Sequence, residues 1–297
     1  MRLVLAGASG FLGTTWRDHL ARQGHEVVRL VRGEALSADE SRWDPAAGRV
    51  DRAVVEAADV VANVAGASLF HWPLTDSYRR TFLSSRVDTT RTLAQAVADS
   101  DRRPALVVQG GVNGYGDRGA EVLTEDSRFD GESFMARVTT AWEDATTPAV
   151  EAGARVTLMR SGAVLDRRGG AMRPLLLQFR LGLGGPVGSG EQYFPTISLR
   201  DWVRAASWLA TQDAARGAYN VSGPGTTTNA DFGRHLGRLL HRPSLVRAPA
   251  WPIRAVAGDI LSGLLLDSLR VEPAKLLDEG FVFEHPTLDD RLAAALE

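Results

Sequence analysis

Residues 1–13 read MRLVLAGASGFLG, and the stretch at 7–13, GASGFLG, decides how the rest of the chain is read. Arg2–Ala6 is a short, nearly continuous apolar run of the kind buried in parallel sheets. Gly7-x-x-Gly10-x-x-Gly13 follows it directly, and helical spacing begins at Phe11. Small residues there let the backbone turn sharply and approach a pyrophosphate. The helix N-terminus then offers free N–H groups and a partial positive charge. A glycine triplet alone is a weak signal. Here a strand precedes it and a helix follows, which is the context that gives it meaning. A glycine-rich strand-to-helix turn with no ligand is the plain alternative.

Helical spacing over Phe11–Gln23 stops at Gly24, which reads as the C′ glycine. Glu26–Arg32 and Asp59–Val64 read as strands, and Ser84–Ala98 as a helix with Val87, Leu93, Ala94 and Val97 on one face. Ala105–Val108 is a strand, Ser133–Val150 mostly helix, and Arg155–Leu165 a further strand. This alternation implies an α/β fold, a Rossmann-type doubly wound parallel sheet with helices on both faces. Composition changes after Gly169, with LGLGGPVGSG at 181–190 and prolines at 243, 249, 252, 273 and 286. The reading is therefore a dinucleotide-binding domain over 1–169 and a smaller C-terminal α/β substrate or lid lobe over 170–297. A helix at Asp201–Thr211 and a strand at Ala218–Ser222 return the chain, over 200–222, to the main sheet.

The second strand ends Leu30-Val31-Arg32-Gly33, with no acid until Glu34. A site selective for NAD usually places Asp or Glu there to bind the ribose 2′-hydroxyl. A guanidinium at Arg32 instead suits a 2′-phosphate, to which it can donate two parallel hydrogen bonds. The expected cofactor is NADP(H). A solvated surface arginine is the bland alternative.

Bulk properties bound the rest. The 297 residues suffice for one large α/β unit or two lobes, and 44% hydrophobic with 24% charged residues is ordinary for a globular protein. A net charge of −2 argues against nucleic acid or an anionic membrane as the main partner. The absence of cysteine excludes disulfides and thiolate chemistry. Histidines at 19, 25, 71, 235, 241 and 285 show no metal spacing, and no Gly-x-Ser-x-Gly elbow is present. The opening run is glycine-broken and reads as a strand rather than a signal peptide. The apolar stretch 253–271 is interrupted by Asp259, Asp267 and Arg270, too polar to span a bilayer. A cytoplasmic protein with a small-molecule substrate is the expectation, and the oligomeric state is left open.

GASGFLG, Arg32, Trp43-Asp44-Pro45, NVAGA at 63–67, SSRVDTTRTL at 84–93, RSGAVL at 160–165, GLGGPVGSG at 182–190 and GFVFEHP at 280–286 occur in this order. Together, over essentially the whole chain, they resemble the epimerase-like family of atypical extended short-chain dehydrogenase/reductases. These are NAD-dependent epimerase/dehydratase proteins with their own C-terminal domain. The resemblance implies a Rossmann domain binding NADP(H) through Gly7, Ser9, Gly10, Phe11, Leu12 and Gly13, with Arg32 on the adenosine phosphate. It also implies that Val64 and Ala65 line the cofactor path, that Arg86 contacts the cofactor and that Val164 lies beside the nicotinamide. Val64, Ala65 and Val164 also suit plain core, and Arg86 a helix-surface charge.

The wider superfamily uses Tyr-x-x-x-Lys on the helix after the fifth strand, with a Ser near that strand's end. Four-residue spacing sets both side chains on one helix face, and the ammonium depresses the phenol's pKa for proton transfer. Here Tyr78, Tyr115, Tyr193 and Tyr219 have no lysine four residues on, and Lys275, the only lysine, follows Val271 at that spacing. Thr139 and Glu143 of VTTAWE (138–143) take the Tyr and Lys places, as they do across the family. A second departure is this chain's own: Gly110 stands at the Ser position and Gly114 at one of two tyrosines. Asn113, Tyr115, Asp117, Thr139 and Glu143 remain. Tyr115 and Glu143 are the candidate proton-handling groups, with Tyr115 expected near ~10 if no cation is close and Glu143 equally able to pair with an arginine. Two functions fit: an NADP(H)-dependent oxidoreductase or epimerase-like enzyme on a small carbonyl or hydroxyl compound, or a catalytically weak NADP(H)-binding sensor or partner-binding protein.

Overall fold

Leu3, Val4, Leu5 and Ala6 are wholly buried, as an apolar strand covered on both faces must be. The structure, a computed structural model, describes residues 1–69, 75–170, 172–251, 253 and 258–297, with backbone only for Asp259 and Leu261. His71, Pro252 and residues 254–257 of the apolar stretch lie outside the described residues.

The chain begins β1 (Arg2–Ala6), α1 (Phe11–Arg22), β2 (Glu26–Val31), β3 (Glu40–Arg42), α2 (Arg52–Glu56), β4 (Val60–Asn63), α3 (Asp76–Ala98) and β5 (Ala105–Gly111). It continues β6 (Val122–Leu123), α4 (Phe134–Asp144), α5 (Thr147–Glu151), β7 (Val156–Ser161), β8 (Ala163–Leu165), α6 (Met172–Arg180) and β9 (Tyr193–Phe194). Next come β10 (Thr196–Ser198), α7 (Leu199–Thr211), β11 (Gly217–Val221), β12 (Thr227–Thr228) and α8 (Asn229–Leu239). The last are α9 (Gly258–Leu265), β13 (Arg270–Val271), α10 (Ala274–Asp278) and α11 (Leu288–Leu296).

Seven strands form one sheet in the order β11-β7-β5-β4-β1-β2-β3, the doubly wound α/β arrangement expected. Pairing is parallel from β5 through β4, β1 and β2 to β3. Ala6 faces Leu30 on one side and Asn63 on the other. The strand order therefore reverses at β1, and such a switch point opens a crevice at the strands' carboxyl ends.

The chain divides into two units that exchange segments. Unit 1 holds Met1–Gly110, Ala141–Met159 and Ala205–Ala218, and unit 2 holds Gly111–Thr140, Arg160–Arg204 and Tyr219–Glu297. The sequence reading placed the boundary after Gly169 with a return over 200–222; by contacts Gly111–Thr140 and residues 160–169 lie in unit 2, and Ala205–Ala218 lies in unit 1. Composition marks where the loops begin, whereas contacts send the ends of β5, β7 and β11 into unit 2. Unit 1 has its core between sheet and helices, from Val4 and Leu30 to Leu93, Leu106, Trp142 and Val156. Unit 2 has one core of Leu165, Leu176, Phe179, Phe232, Leu236 and Leu292, and another of Val112, Tyr115, Leu123, Leu269 and Val271.

Three element boundaries differ from the sequence reading. α3 begins at Asp76 rather than Ser84, because the Thr75 hydroxyl accepts the Tyr78 N–H at 3.1 Å and caps it. The helix expected over Ser133–Val150 breaks after Asp144, where Thr146 Oγ1 donates to the Glu143 carbonyl and Pro148 opens α5. The strand expected over Arg155–Leu165 is split at Gly162, where a Cβ would stand 2.8 Å from the Pro195 carbonyl oxygen.

Candidate functional site

In unit 1 the loop between β1 and α1 is shaped by its glycines. Gly7 has φ +83°, and a Cβ on it would lie 2.7 Å from the Ala65 nitrogen and the Val64 carbonyl carbon. A Cβ on Gly13 would lie 2.1 Å from the Gly7 carbonyl oxygen. Only bare backbone lets the loop, the start of α1 and the turn after β4 approach this closely. Gly10 is the N-cap of α1 and supplies no side-chain cap, so the first N–H groups of the helix point out of an uncovered end. Ser9 and Gly10 are exposed, and Phe11 and Leu12 are half-buried.

The 63–67 turn is held from beneath. Asn63 is fully buried and donates to Thr89 Oγ1 at 3.1 Å and Thr90 Oγ1 at 2.8 Å, while its Oδ1 accepts the Ala65 N–H at 3.0 Å. Trp142 Nε1 donates to the same Thr90 hydroxyl. Val64 and Ala65 are half-buried with their backbone close to Gly7, and Ala65 also packs against the unit 1 core.

Arg86 is buried rather than a surface charge. It donates to the Phe82 carbonyl at 3.0 Å and the Ala67 carbonyl at 3.1 Å, and its guanidinium stacks 3.7 Å over the Phe82 ring. Burial lowers its pKa to about 10. Arg32 is exposed just beyond β2 and forms no ion pair among the described residues. The β2–β3 register sets exposed Arg42 beside Val31. Sequence reading missed this second cation, because a three-residue strand carries too little periodicity to fix a register. Glu143 is half-buried in the last turn of α4, its Oε1 3.8 Å from the position of a Cβ on Gly110.

In unit 2, Tyr115 is fully buried. Its hydroxyl donates to Asn220 Oδ1 at 2.8 Å and accepts from the Arg160 guanidinium at 3.0 Å. The expectation of an ordinary phenol without a neighbouring cation is thereby corrected. The cation is present, yet burial outweighs it and raises the Tyr115 pKa. Arg160 also stacks 3.6 Å over Phe129, and that ring fills the place of any side chain at 114, where a Cβ would lie 2.0 Å from it. Phe129 thus occupies the room that the missing tyrosine side chain would need. The Thr139 hydroxyl is buried and donates within its own helix, toward the Met135 and Ala136 carbonyls. Val164 is half-buried in β8, opposite Ile197.

A carboxyl missed by sequence reasoning stands in the same unit. Asp267 Oδ2 is buried without a hydrogen-bond partner among the described residues. Burial, with the charge of Asp117 added, pushes its pKa up to about 6. Asp117 itself accepts the N–H groups of Gly119 and Ser268. The signal was one acid inside the apolar run LLLDSL at 264–269. Among the described residues no His/Asp/Glu group could hold a metal ion.

With this geometry set out, comparison with known proteins decides the lineage. Residues 3–222 match the NAD dependent epimerase/dehydratase family. The chain belongs to that family. Residues 248–295 match a C-terminal domain of unknown function, DUF1731. An epimerase family protein of Mycobacterium bovis is 33% identical over 293 residues, covering 99% of this chain and 97% of that one. The crystal structure of the human epimerase family protein SDR39U1 (isoform 2) with NADPH is 32% identical, with TM-score 0.87 and 99% coverage of both chains. A nucleoside-diphosphate sugar epimerase of Corynebacterium glutamicum is 30% identical, with TM-score 0.82, covering all of this chain and 58% of that one.

Proposed function

We propose that this epimerase/dehydratase-family chain binds NADP(H) and acts as an oxidoreductase or epimerase-like enzyme on a small carbonyl or hydroxyl compound. The observation that carries the reading is the open N-terminus of α1, cradled by Gly7 and Gly13, with Arg32 at the end of β2 and no acid there. A pyrophosphate fits a cradle that any Cβ would fill. Gly7, Ser9, Gly10, Phe11, Leu12 and Gly13 would hold it, with Arg32 and Arg42 on the adenosine 2′-phosphate. Val64, Ala65, Arg86 and Val164 would line the remaining path. The NADPH complex of the human relative supports the choice of cofactor.

The nicotinamide, when bound, supplies hydride transfer. The chain's own residues must then orient a carbonyl and handle a proton. Asp267, whose pKa burial raises to about 6, and Glu143 suit proton handling better than Tyr115, whose hydroxyl is engaged by Asn220 and Arg160. A second reading, a cofactor-binding sensor with little turnover, is favoured by one observation: the Thr139 hydroxyl at the usual Tyr position is turned into its own helix. The test is calorimetric titration with NADPH and NADH, followed by carbonyl reduction assays. Tighter binding of NADPH is expected, and equal affinity for the two cofactors would refute the assignment. Turnover that falls in Asp267→Asn or Glu143→Gln favours the enzyme, and tight binding with no turnover favours the sensor.

A further inference from the structure

Two stretches of unit 2 contain no acidic residue at all, 167–190 and 232–258. They lie side by side: the Val246 N–H donates to the Gly184 carbonyl at 3.0 Å, the Ala248 N–H to the Pro186 carbonyl at 3.0 Å, and Val187 bridges Ala248. Along them Arg173, Arg180 and Arg247 are without ion pairs among the described residues. A groove of about 340 Å³ on the flank of α6 is lined by Arg167, Arg173, Leu176, Leu177 and Arg180. Beside it Leu177 is 60% exposed, Leu181 65%, Leu183 51% and Leu245 84%.

Exposed apolar side chains gathered together and rimmed by polar residues mark an interaction surface. We propose that this face of unit 2 docks on an anionic lipid surface. Leu177, Leu181, Leu183 and Leu245 are each more than half exposed, so they suit insertion into the boundary between headgroups and acyl chains. The arginines at their margin match phosphate headgroups of a charged membrane. A second copy of the chain is a poor occupant, since two-fold pairing would set arginines against arginines. The net charge of −2 speaks against a membrane as partner of the whole chain, but it averages over a strongly uneven distribution.

The experiment is co-sedimentation of the full chain with vesicles of phosphatidylcholine alone or mixed with phosphatidylglycerol, at low and high salt. Binding to the mixed vesicles only, weakened by salt, is expected. Arg173→Glu with Arg180→Glu should weaken it by about tenfold or more, and Leu177→Ser with Leu181→Ser should weaken the portion that resists salt. Far-UV circular dichroism and thermal midpoints of both double variants check that they remain folded. The proposal is overturned by no partitioning onto mixed vesicles, or by binding that neither folded variant alters. Equal capture of soluble polyglutamate, unaffected by the leucine changes, would overturn it in favour of an acidic protein. Self-association lost in the same variants would overturn it in favour of a second copy.

Discussion

Arg32 and Tyr115 mark the two extremes of what one residue can be asked to do here. Arg32 is exposed at a strand end, so its loss should spare folding and, on the proposed reading, weaken binding. Arg32→Ala should cost about 1.5–3 kcal/mol of NADPH affinity, the worth of a charge-assisted contact, and leave NADH nearly unchanged in calorimetric titration. Tyr115 is the reverse, a buried hydroxyl between Asn220 and Arg160. Tyr115→Phe should lower stability by about 1–3 kcal/mol, since two buried polar groups lose their partner; chemical denaturation measures this, and an unchanged midpoint would show the network to be dispensable. The two glycines that replace larger residues behave differently as well. A Cβ on Gly110 meets nothing nearer than 3.6 Å, whereas one on Gly114 runs into Phe129. Gly110→Ser should therefore fold normally, and Gly114→Ala should destabilise by about 1–3 kcal/mol through overpacking. Equal midpoints for these two variants would contradict the packing argument.

The elements around the glycine loop were legible because their signals are local. β1 and α1 fall where the apolar run and the helical spacing put them, and Gly24, at φ +78°, ends the first helix as expected. The start of α3 was not legible, because Thr75 lies well before the amphipathic stretch and a single cap hydroxyl decides it. The division into α4 and α5 was missed for a similar reason, a helix boundary set by Pro148 and one threonine bond. At this scale Gly13 is the most exposed weak point, since α1 approaches the Gly7 carbonyl through it. Gly13→Ala should displace the start of α1 from the loop and abolish NADPH binding in fluorescence titration. Near-native affinity in that variant would place the phosphate cradle elsewhere.

For the molecule as a whole, pH dependence offers a direct test of Asp267. Its folded pKa, about 6, is raised above the ordinary value of 3.8. The stability tied to the protonated form is therefore complete below about pH 4 and is lost as pH rises through 6. Asp267→Asn should be more stable than the parent at pH 7.5, by about 1 kcal/mol after solvent screening, and the gap should close toward pH 4.5 in urea unfolding. A gap that does not change with pH would remove Asp267 from consideration as a titrating group. The burial of Asp267 was invisible to sequence reading, as were the interior position of Arg86 and the closure of Phe129 over Gly114. The sequence by itself determined the class of fold, the family and the glycine loop between β1 and α1, because each depends on neighbours along the chain or on motifs held in a fixed order. Only the tertiary structure decided which segments belong to which unit and which arginines and carboxyls are buried. Those outcomes depend on residues more than a hundred positions apart, as Tyr115 and Asn220 or Asp117 and Ser268 are, and burial is a property of the whole packing that no local pattern encodes.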